Sequence, residues 1–124
     1  MQVPPQITFR EIPHSEAVET RIREEIDKLE HFYGNIIDCE IVIEAQHRHK
    51  HKGKLYHLRI ILNVPERELV VSRDPEAKHA HEDIYVTIRD AFKAMRRQLQ
   101  DYARQRRGQV KTHENVRQRT EPSV

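Results

Sequence analysis

Positively charged residues recur at helical spacing in the C-terminal third of the chain. Six of them fall on one side of a helix: Arg89, Lys93, Arg96, Arg97, Arg104 and Arg107. At 100° per residue they project between about 120° and 220° from Ile84, with Asp90 and Asp101 at the edge of this arc. A solvated helix face usually mixes signs, whereas a stripe of one sign repels itself and indicates an anionic partner. Such cations can bind the phosphates of a nucleic acid.

A simpler interpretation is that surface cations only keep a small protein soluble. The stripe, however, extends over about 27 Å from Arg89 to Arg107 at 1.5 Å per residue, a length that suits a nucleic-acid groove or channel. Aromatic residues make up only 6% of the chain. Few rings are therefore available to stack bases, and recognition of folded RNA by shape and phosphate is favoured over sequence reading of single strands.

A second group of cations alternates with histidines between residues 47 and 54. These cations are further candidates for RNA contact: Arg48, Lys50, Lys52 and Lys54. On a strand, His47, His49 and His51 would point one way, as zinc ligands can. The neighbouring cations would repel a divalent ion, and no nearby Cys or Asp completes a ligand set, so we expect no metal site; a metal-sensing loop stays as a minor alternative.

No set of residues in the sequence has the composition of a catalytic site. The only serines are Ser15, Ser72 and Ser123, and three glycines cannot supply a glycine-rich phosphate loop. Helix capping and the outer faces of strands account for the many carboxylates. We therefore expect neither an enzyme nor a cofactor nor a small-molecule substrate.

Composition restricts the chain to one modest domain. It has 124 residues, of which 36% are hydrophobic and 34% are charged, with a net charge of +2. Residues 1–88 carry 12 Lys/Arg and 16 Asp/Glu, a net charge of −4, whereas residues 89–124 carry 10 and 4, a net charge of +6. This asymmetry favours a nucleic acid or an acidic surface as partner. A single cysteine excludes an internal disulfide, and neither a membrane-spanning run nor a signal peptide is present, which predicts a soluble, cytoplasmic protein.

One long helix must carry the cationic stripe. Apolar residues recur along the same segment within an arc of about 100°, as in a helix packed on a core. They are Ile84, Ile88, Ala91, Phe92, Met95, Leu99 and Tyr102. Because no Gly or Pro interrupts residues 83–107, we predict one helix that ends by Gly108. Residues 108–124 are predicted to be a flexible basic tail, which leaves residues 1–107 as the folded domain.

The remaining elements form a sheet and one further helix. Residues 16–33 have apolar positions at helical spacing between an N-cap at Ser15 and a C-cap at Gly34. The outer face of this helix is mostly acidic, with a positive edge at Arg21 and Lys28, so it is a weaker candidate for binding a polyanion. Alternating apolar residues predict strands near residues 6–10, 36–46, 56–64 and 68–73. In the strand predicted near residues 36–46, Cys39 lies in the apolar phase and is expected to be a buried small hydrophobe. The order β-α-β-β-β-α predicts an α+β fold in which both helices cover one face of a four-stranded sheet.

Parts of this pattern resemble a known family. The segment Asp83-Ile84-Tyr85, then Ile88, then Arg97-Gln98-Leu99 resembles the second helix of the ribosome hibernation promoting factor family, also called ribosome-associated inhibitor or factor Y. The ending Phe32-Tyr33 of the first helix and the order of elements are similar as well, so the resemblance covers about residues 6–107. Because the chain stops at residue 124, it resembles the short form of the family.

The resemblance implies a function. It implies a fold similar to the double-stranded RNA-binding domain and a place in the small-subunit channel, where messenger RNA and transfer RNAs lie. A protein there would block translation and stabilise dormant ribosomes under stress or in stationary phase, with small-subunit ribosomal RNA as partner and without DNA or membrane. Contact with ribosomal RNA is implied for Arg97 directly and for Lys93, Arg96 and Arg104 by their shared face. The other basic candidates rest on charge alone.

A second function from a different class is left open. The basic helix could instead bind an acidic protein, as in a regulatory interaction module of the sigma-factor modulator type.

Overall fold

The structure, a computed structural model, describes the backbone of residues 1–47, 54–72 and 83–120 and the side chains of residues 1–45, 55–72 and 83–108. Its elements follow the predicted order: β1 (Gln6–Arg10), α1 (Glu16–Phe32), β2 (Asp38–His47), β3 (Lys54–Val64), β4 (Arg67–Ser72) and α2 (Ile84–Thr120). The predicted α+β fold is confirmed. None of the helices within these ranges combines the length and the apolarity that crossing a bilayer requires.

The four strands form one mixed sheet in the order β1-β2-β3-β4. β1 is parallel to β2, and the other two pairings are antiparallel. A parallel pair needs a long crossover connection, and α1 supplies it between β1 and β2. The register aligns Ile7, Ile41, Ile60 and Val71 in one row across all four strands. Because side chains alternate along a strand, this row defines the apolar face of the sheet.

Both helices bury their apolar stripes on this face. α1 contributes Val18, Ile22, Ile26 and Leu29, each at most 5% exposed. α2 contributes the same residues that its sequence period predicts, and all of them except the partly exposed Ile84 are buried: Ile88, Ala91, Phe92, Met95, Leu99 and Tyr102. Together with the inner side chains of the strands they form one core cluster. The predicted packing of both helices on one side of the sheet is confirmed.

Local hydrogen bonds fix where the helices begin and where α1 ends. The Oγ atom of Ser15 accepts from the backbone N–H of Val18 at 3.3 Å, as predicted for the N-cap of α1. At the other end the cap is Tyr33, whose N–H donates to the carbonyl of Leu29, so the prediction of Gly34 as the cap is wrong by one residue. Asp83 immediately precedes α2 and caps its first turn, since its Oδ1 atom accepts from the N–H of Tyr85 at 2.9 Å.

The C-terminal helix is longer than predicted. It continues past Gly108 as far as Thr120, so the expected end by Gly108 is wrong. A glycine inside a helix costs only about 1 kcal/mol relative to alanine, and Gln, Lys, Glu and Arg, which are six of the twelve residues 109–120, favour helix. The first proline after this segment is Pro122. The division of the chain into a domain at 1–107 and a flexible tail at 108–124 stays a prediction.

Truncation of Leu99 should show how far the stability of the fold depends on docking of α2. Leu99 is fully buried, so Leu99→Ala should lower the free energy of unfolding by about 2–5 kcal/mol through lost burial and a residual cavity. Urea denaturation followed by circular dichroism measures this change. Lys93→Ala, on the exposed face of the same helix, is the control and should change stability by about 0.5 kcal/mol or less. Similar losses in both variants would contradict the packing described above.

Cys39 lies in the core, as its apolar phase predicts. It is 2% exposed. Burial raises the pKa of its thiol to about 12, and the nearby carboxylates of Asp38, Glu30 and Glu40 act in the same direction. A thiol with this pKa stays protonated at neutral pH and is a poor nucleophile.

This raised pKa predicts a loss of stability in alkaline solution. The unfolded chain releases the thiol proton near the ordinary value of 9.0, whereas the folded chain retains it up to about 12. The folded state then binds more protons, so this group favours unfolding by about 1.4 kcal/mol at pH 10. Urea denaturation measures the free energy of unfolding at pH 8 and at pH 10. Its decrease between these pH values should be smaller by about this amount in Cys39→Ala than in the unmodified protein. An equal decrease in both proteins would refute the assignment.

Candidate nucleic-acid interface

The six predicted cations of α2 all lie on its exposed face. These are Arg89, Lys93, Arg96, Arg97, Arg104 and Arg107. Arg89 contacts Asp90 at 3.4 Å and Arg104 contacts Asp101 at 3.9 Å, but these exposed ion pairs hold their side chains only weakly. Within the part of the chain that the structure describes, Lys93, Arg97 and Arg107 form no ion pair. The stripe therefore presents cations that a phosphate can reach.

Contacts with β4 and the turn before it fix the rotation of α2. The side-chain amide of Gln98 donates to the carbonyl of Val70 at 3.0 Å, and the hydroxyl of Tyr102 donates to the carbonyl of Pro65 at 2.7 Å. Tyr102 also packs edge-on against Tyr33, and burial raises the pKa of its phenol. With the buried side of the helix held in this way, the cationic stripe faces outward.

The two helices run parallel and meet through two arginine–aromatic pairs. The guanidinium of Arg21 lies 5.6 Å from the ring centre of Tyr85, and that of Arg96 lies 5.3 Å from the ring centre of Phe32. The two contacts are eleven residues apart on each helix, which is three turns and about 16 Å, so the chains advance in the same direction. Each pair contributes roughly 0.5–1 kcal/mol at an exposed site.

These contacts bring the positive edge of α1 alongside α2. On α1, Lys28 follows Arg21 by seven residues and precedes Phe32 by four. On α2, Arg89 follows Tyr85 by four residues and precedes Arg96 by seven, so each set lies on one helix face. The resulting interhelical surface has cations from both helices and an aromatic residue near each end: Arg21, Lys28, Phe32, Tyr85, Arg89 and Arg96. Phe32 is 38% exposed and Tyr85 is 40% exposed. The candidate site is thus wider than the stripe on α2 alone.

Sequence reasoning underrated the α1 side of this surface. The sequence gives Arg21 and Lys28 minor importance because the outer face of α1 is mostly acidic, and it predicts no role for Phe32 or Tyr85. The signal in the sequence is that Arg21 and Phe32, like Tyr85 and Arg96, are eleven apart and so share a helix face. That the two faces meet depends on the helix–helix register, which only the structure supplies.

The histidine-containing segment cannot be joined to this surface. Arg48, Lys50 and Lys52, like His49 and His51, lie outside the described residues, and Lys54 begins β3 with its side chain outside them. Their contact with RNA stays a prediction. Among the described residues, no group of three or more His, Cys, Asp or Glu side chains could hold a metal ion.

The outer face of the sheet has a hydrogen-bonded chain that the sequence did not indicate. His57 contacts Oε1 of Glu44 through Nδ1 at 3.1 Å and Oγ of Ser72 through Nε2 at 3.0 Å. A carboxylate, an imidazole and a hydroxyl in this order can activate a serine. Here they also link three strands, because the register places Glu44 on β2 opposite His57 on β3, and His57 reaches Ser72 on β4 through its side chain. This structural role is sufficient to account for the three side chains.

The fold and the surface together define a class of protein. A four-stranded mixed sheet covered on one face by two parallel helices, with a row of cations on the exposed face of α2, is an α+β domain suited to binding a polyanion. Residues 6–107 match the family described as Sigma 54 modulation protein / S30EA ribosomal protein, and the chain belongs to this family. The resemblance to hibernation promoting factors is thereby confirmed. A comparison with curated protein sequences found no match.

Two solved structures share the fold at low sequence identity. A ribosomal subunit interface protein from Coxiella burnetii superposes with a TM-score of 0.64 at 14% identity, over 80% of this chain and 96% of that one. The N-terminal domain of Protein Y from Thermus thermophilus superposes with a TM-score of 0.63 at 15% identity, over 82% of this chain and 99% of that one. The similarity to both structures supports the assigned fold.

Proposed function

We propose that this protein is a non-enzymatic inhibitor of translation that binds the small ribosomal subunit. It occupies the channel for messenger RNA and transfer RNA and stabilises dormant ribosomes under stress or in stationary phase. The observation that carries the proposal is the exposed cationic surface of α2, which core packing directs outward. Membership in a family described as S30EA ribosomal protein supports the ribosome as partner. Action in the cytoplasm follows from that partner.

Inhibition by this mechanism requires no bond to be made or broken. Lys93, Arg96, Arg97 and Arg104 lie along ribosomal RNA phosphates, and Arg89 and Arg107 extend the contact at the two ends. A rigid helix anchored on a sheet loses little conformational entropy on binding, because its backbone is already ordered. Occupancy of the channel then excludes the other RNA ligands by volume.

A second candidate function follows from the family description, which also names sigma 54 modulation. In that function the same cations bind an acidic protein surface. A pull-down from cell extract with and without nuclease discriminates between the two. Partners that disappear after RNA is digested support ribosome binding, whereas an acidic protein retained after digestion supports the second function.

Charge reversal on α2 tests the proposed surface directly. Arg96→Glu, Arg97→Glu and Arg104→Glu combined should weaken binding to purified small subunits by roughly 100-fold or more, since three phosphate contacts become repulsive. The slope of log affinity against log salt concentration should become shallower by about three, one for each lost contact. Sedimentation of labelled protein with small subunits at several salt concentrations measures both quantities.

The control changes the net charge equally at other sites. Arg10, Arg23 and Arg59 are exposed on β1, α1 and β3, and their combined change to Glu should weaken binding far less. If the α2 variant binds as tightly as the unmodified protein, the assigned face is wrong. If the unmodified protein does not sediment with small subunits at low salt, the proposed function itself is wrong.

A further inference from the structure

We propose that Phe32, Arg96 and Lys28 form a binding site for one unpaired nucleotide, whose base stacks on Phe32 and whose phosphate contacts Arg96 and Lys28. This inference rests on the proposed function, because it names a specific contact within the ribosomal RNA complex. The site adds a base-stacking contact to phosphate recognition. The sequence does not predict this contact, because its aromatic content is low.

The first observation is an open depression beside an exposed ring. The depression has a volume of about 470 Å³ and is lined by Asp27, Lys28, His31, Phe32 and Arg96. This volume lies within the range of about 300–1,000 Å³ for sites that take small organic ligands. Phe32 is the last residue of α1, is 38% exposed and does not belong to the core cluster. Its ring is therefore available as one wall of the depression.

The second observation is the chemistry of the other walls. The guanidinium of Arg96 lies over the ring of Phe32, 5.3 Å from its centre, so a cation lies against one face of the ring and the base would stack on the other. Lys28 is 66% exposed, and its contact with Glu25 at 3.4 Å holds it only weakly. A flat apolar wall beside two cations matches a nucleotide, which joins a planar base to a charged phosphate.

The remaining two residues restrict where the phosphate lies. His31 donates from Nδ1 to the backbone carbonyl of Asp27 at 2.9 Å, which leaves Nε2 as a free acceptor in the neutral ring. The carboxylate of Asp27 repels a phosphate on its own side. Arg96 and Lys28 are thus the phosphate partners, and the acceptors on Asp27 and His31 are left for polar groups of the base or ribose.

Tyr85 and Arg21 form a similar pair at the other end of the interhelical surface. That pair does not line the depression, whose walls include Phe32 and Arg96 instead. The site is therefore assigned to the C-terminal end of α1 and the middle of α2.

Variants of Phe32 separate stacking from charge. Phe32→Leu keeps an apolar side chain but removes the ring, and it should weaken binding to small subunits by about tenfold. The salt dependence of binding should not change, because no charge is lost. Phe32→Tyr keeps the ring and is the matched control, with an affinity within about twofold of the unmodified protein. Arg96→Gln should both weaken binding and make the slope against salt shallower by about one.

Chemical probing of the bound small subunits gives a readout that a structural role would not change. An unpaired base that is protected from dimethyl sulfate or a carbodiimide by the unmodified protein and by Phe32→Tyr should become reactive with Phe32→Leu. Thermal unfolding of each variant checks that the fold is intact, which the exposure of Phe32 favours. Should Phe32→Leu misfold, Phe32→Met provides the ring-free comparison.

The outcomes distinguish this site from the proposed function. If Phe32→Leu binds as tightly as Phe32→Tyr, or if both leave the same bases protected, stacking is refuted while ribosome binding stands. If the unmodified protein does not bind small subunits, the proposed function fails and the site fails with it. Binding about tenfold weaker, together with reactivity of one otherwise protected base in Phe32→Leu alone, supports the assignment.

Discussion

Burial of both helices on the same face of the sheet is the constraint on which the rest of the structure depends. Each buried Leu, Ile or Phe side chain contributes about 1.5–3 kcal/mol, whereas an exposed ion pair contributes about 1 kcal/mol at most. Packing therefore determines the rotation of α2 about its own axis, and the charged side chains of α2 lie at the positions that packing does not bury. Because Ile88, Met95 and Leu99 point into the core, Lys93 and Arg97 must point away from it. The basic surface is in this sense a consequence of the apolar stripe.

The parallel pairing of β1 with β2 has a second consequence for the surface. The crossover helix α1 must run opposite to these strands, and α2, which follows β4, takes the same direction as α1. Parallel helices with matching rise keep a constant register, so the pairs Arg21–Tyr85 and Phe32–Arg96 recur at equal spacing on both. The combined surface thus depends on the topology of the sheet as well as on the side chains of either helix.

Much of this architecture could be predicted from local patterns. The period of α2, the alternation in β2 and β3 and the cap at Ser15 each depend on neighbours in sequence, and the structure agrees with them. Features that depend on long-range register could not be predicted, such as the contact of Phe32 with Arg96 and the chain from Glu44 through His57 to Ser72. The end of α2 was missed for another reason. The prediction treats Gly108 as the residue that ends the helix. Its helix propensity is only about 1 kcal/mol worse than that of alanine, and the helix-favouring residues around it offset this.

The distribution of charge also determines which side of the domain can face RNA. The outer face of α1 and the outer face of the sheet carry exposed carboxylates, among them Glu24, Glu40 and Glu68. At physiological ionic strength the Debye length is about 8 Å, so a phosphate responds to the charges nearest to it and not to the net charge of the chain. In the proposed complex, approach to these two faces is repulsive and approach to α2 and the interhelical surface is attractive. A net charge of only +2 is therefore compatible with tight binding to a polyanion, provided that the domain binds in one orientation, and the carboxylates help to enforce that orientation.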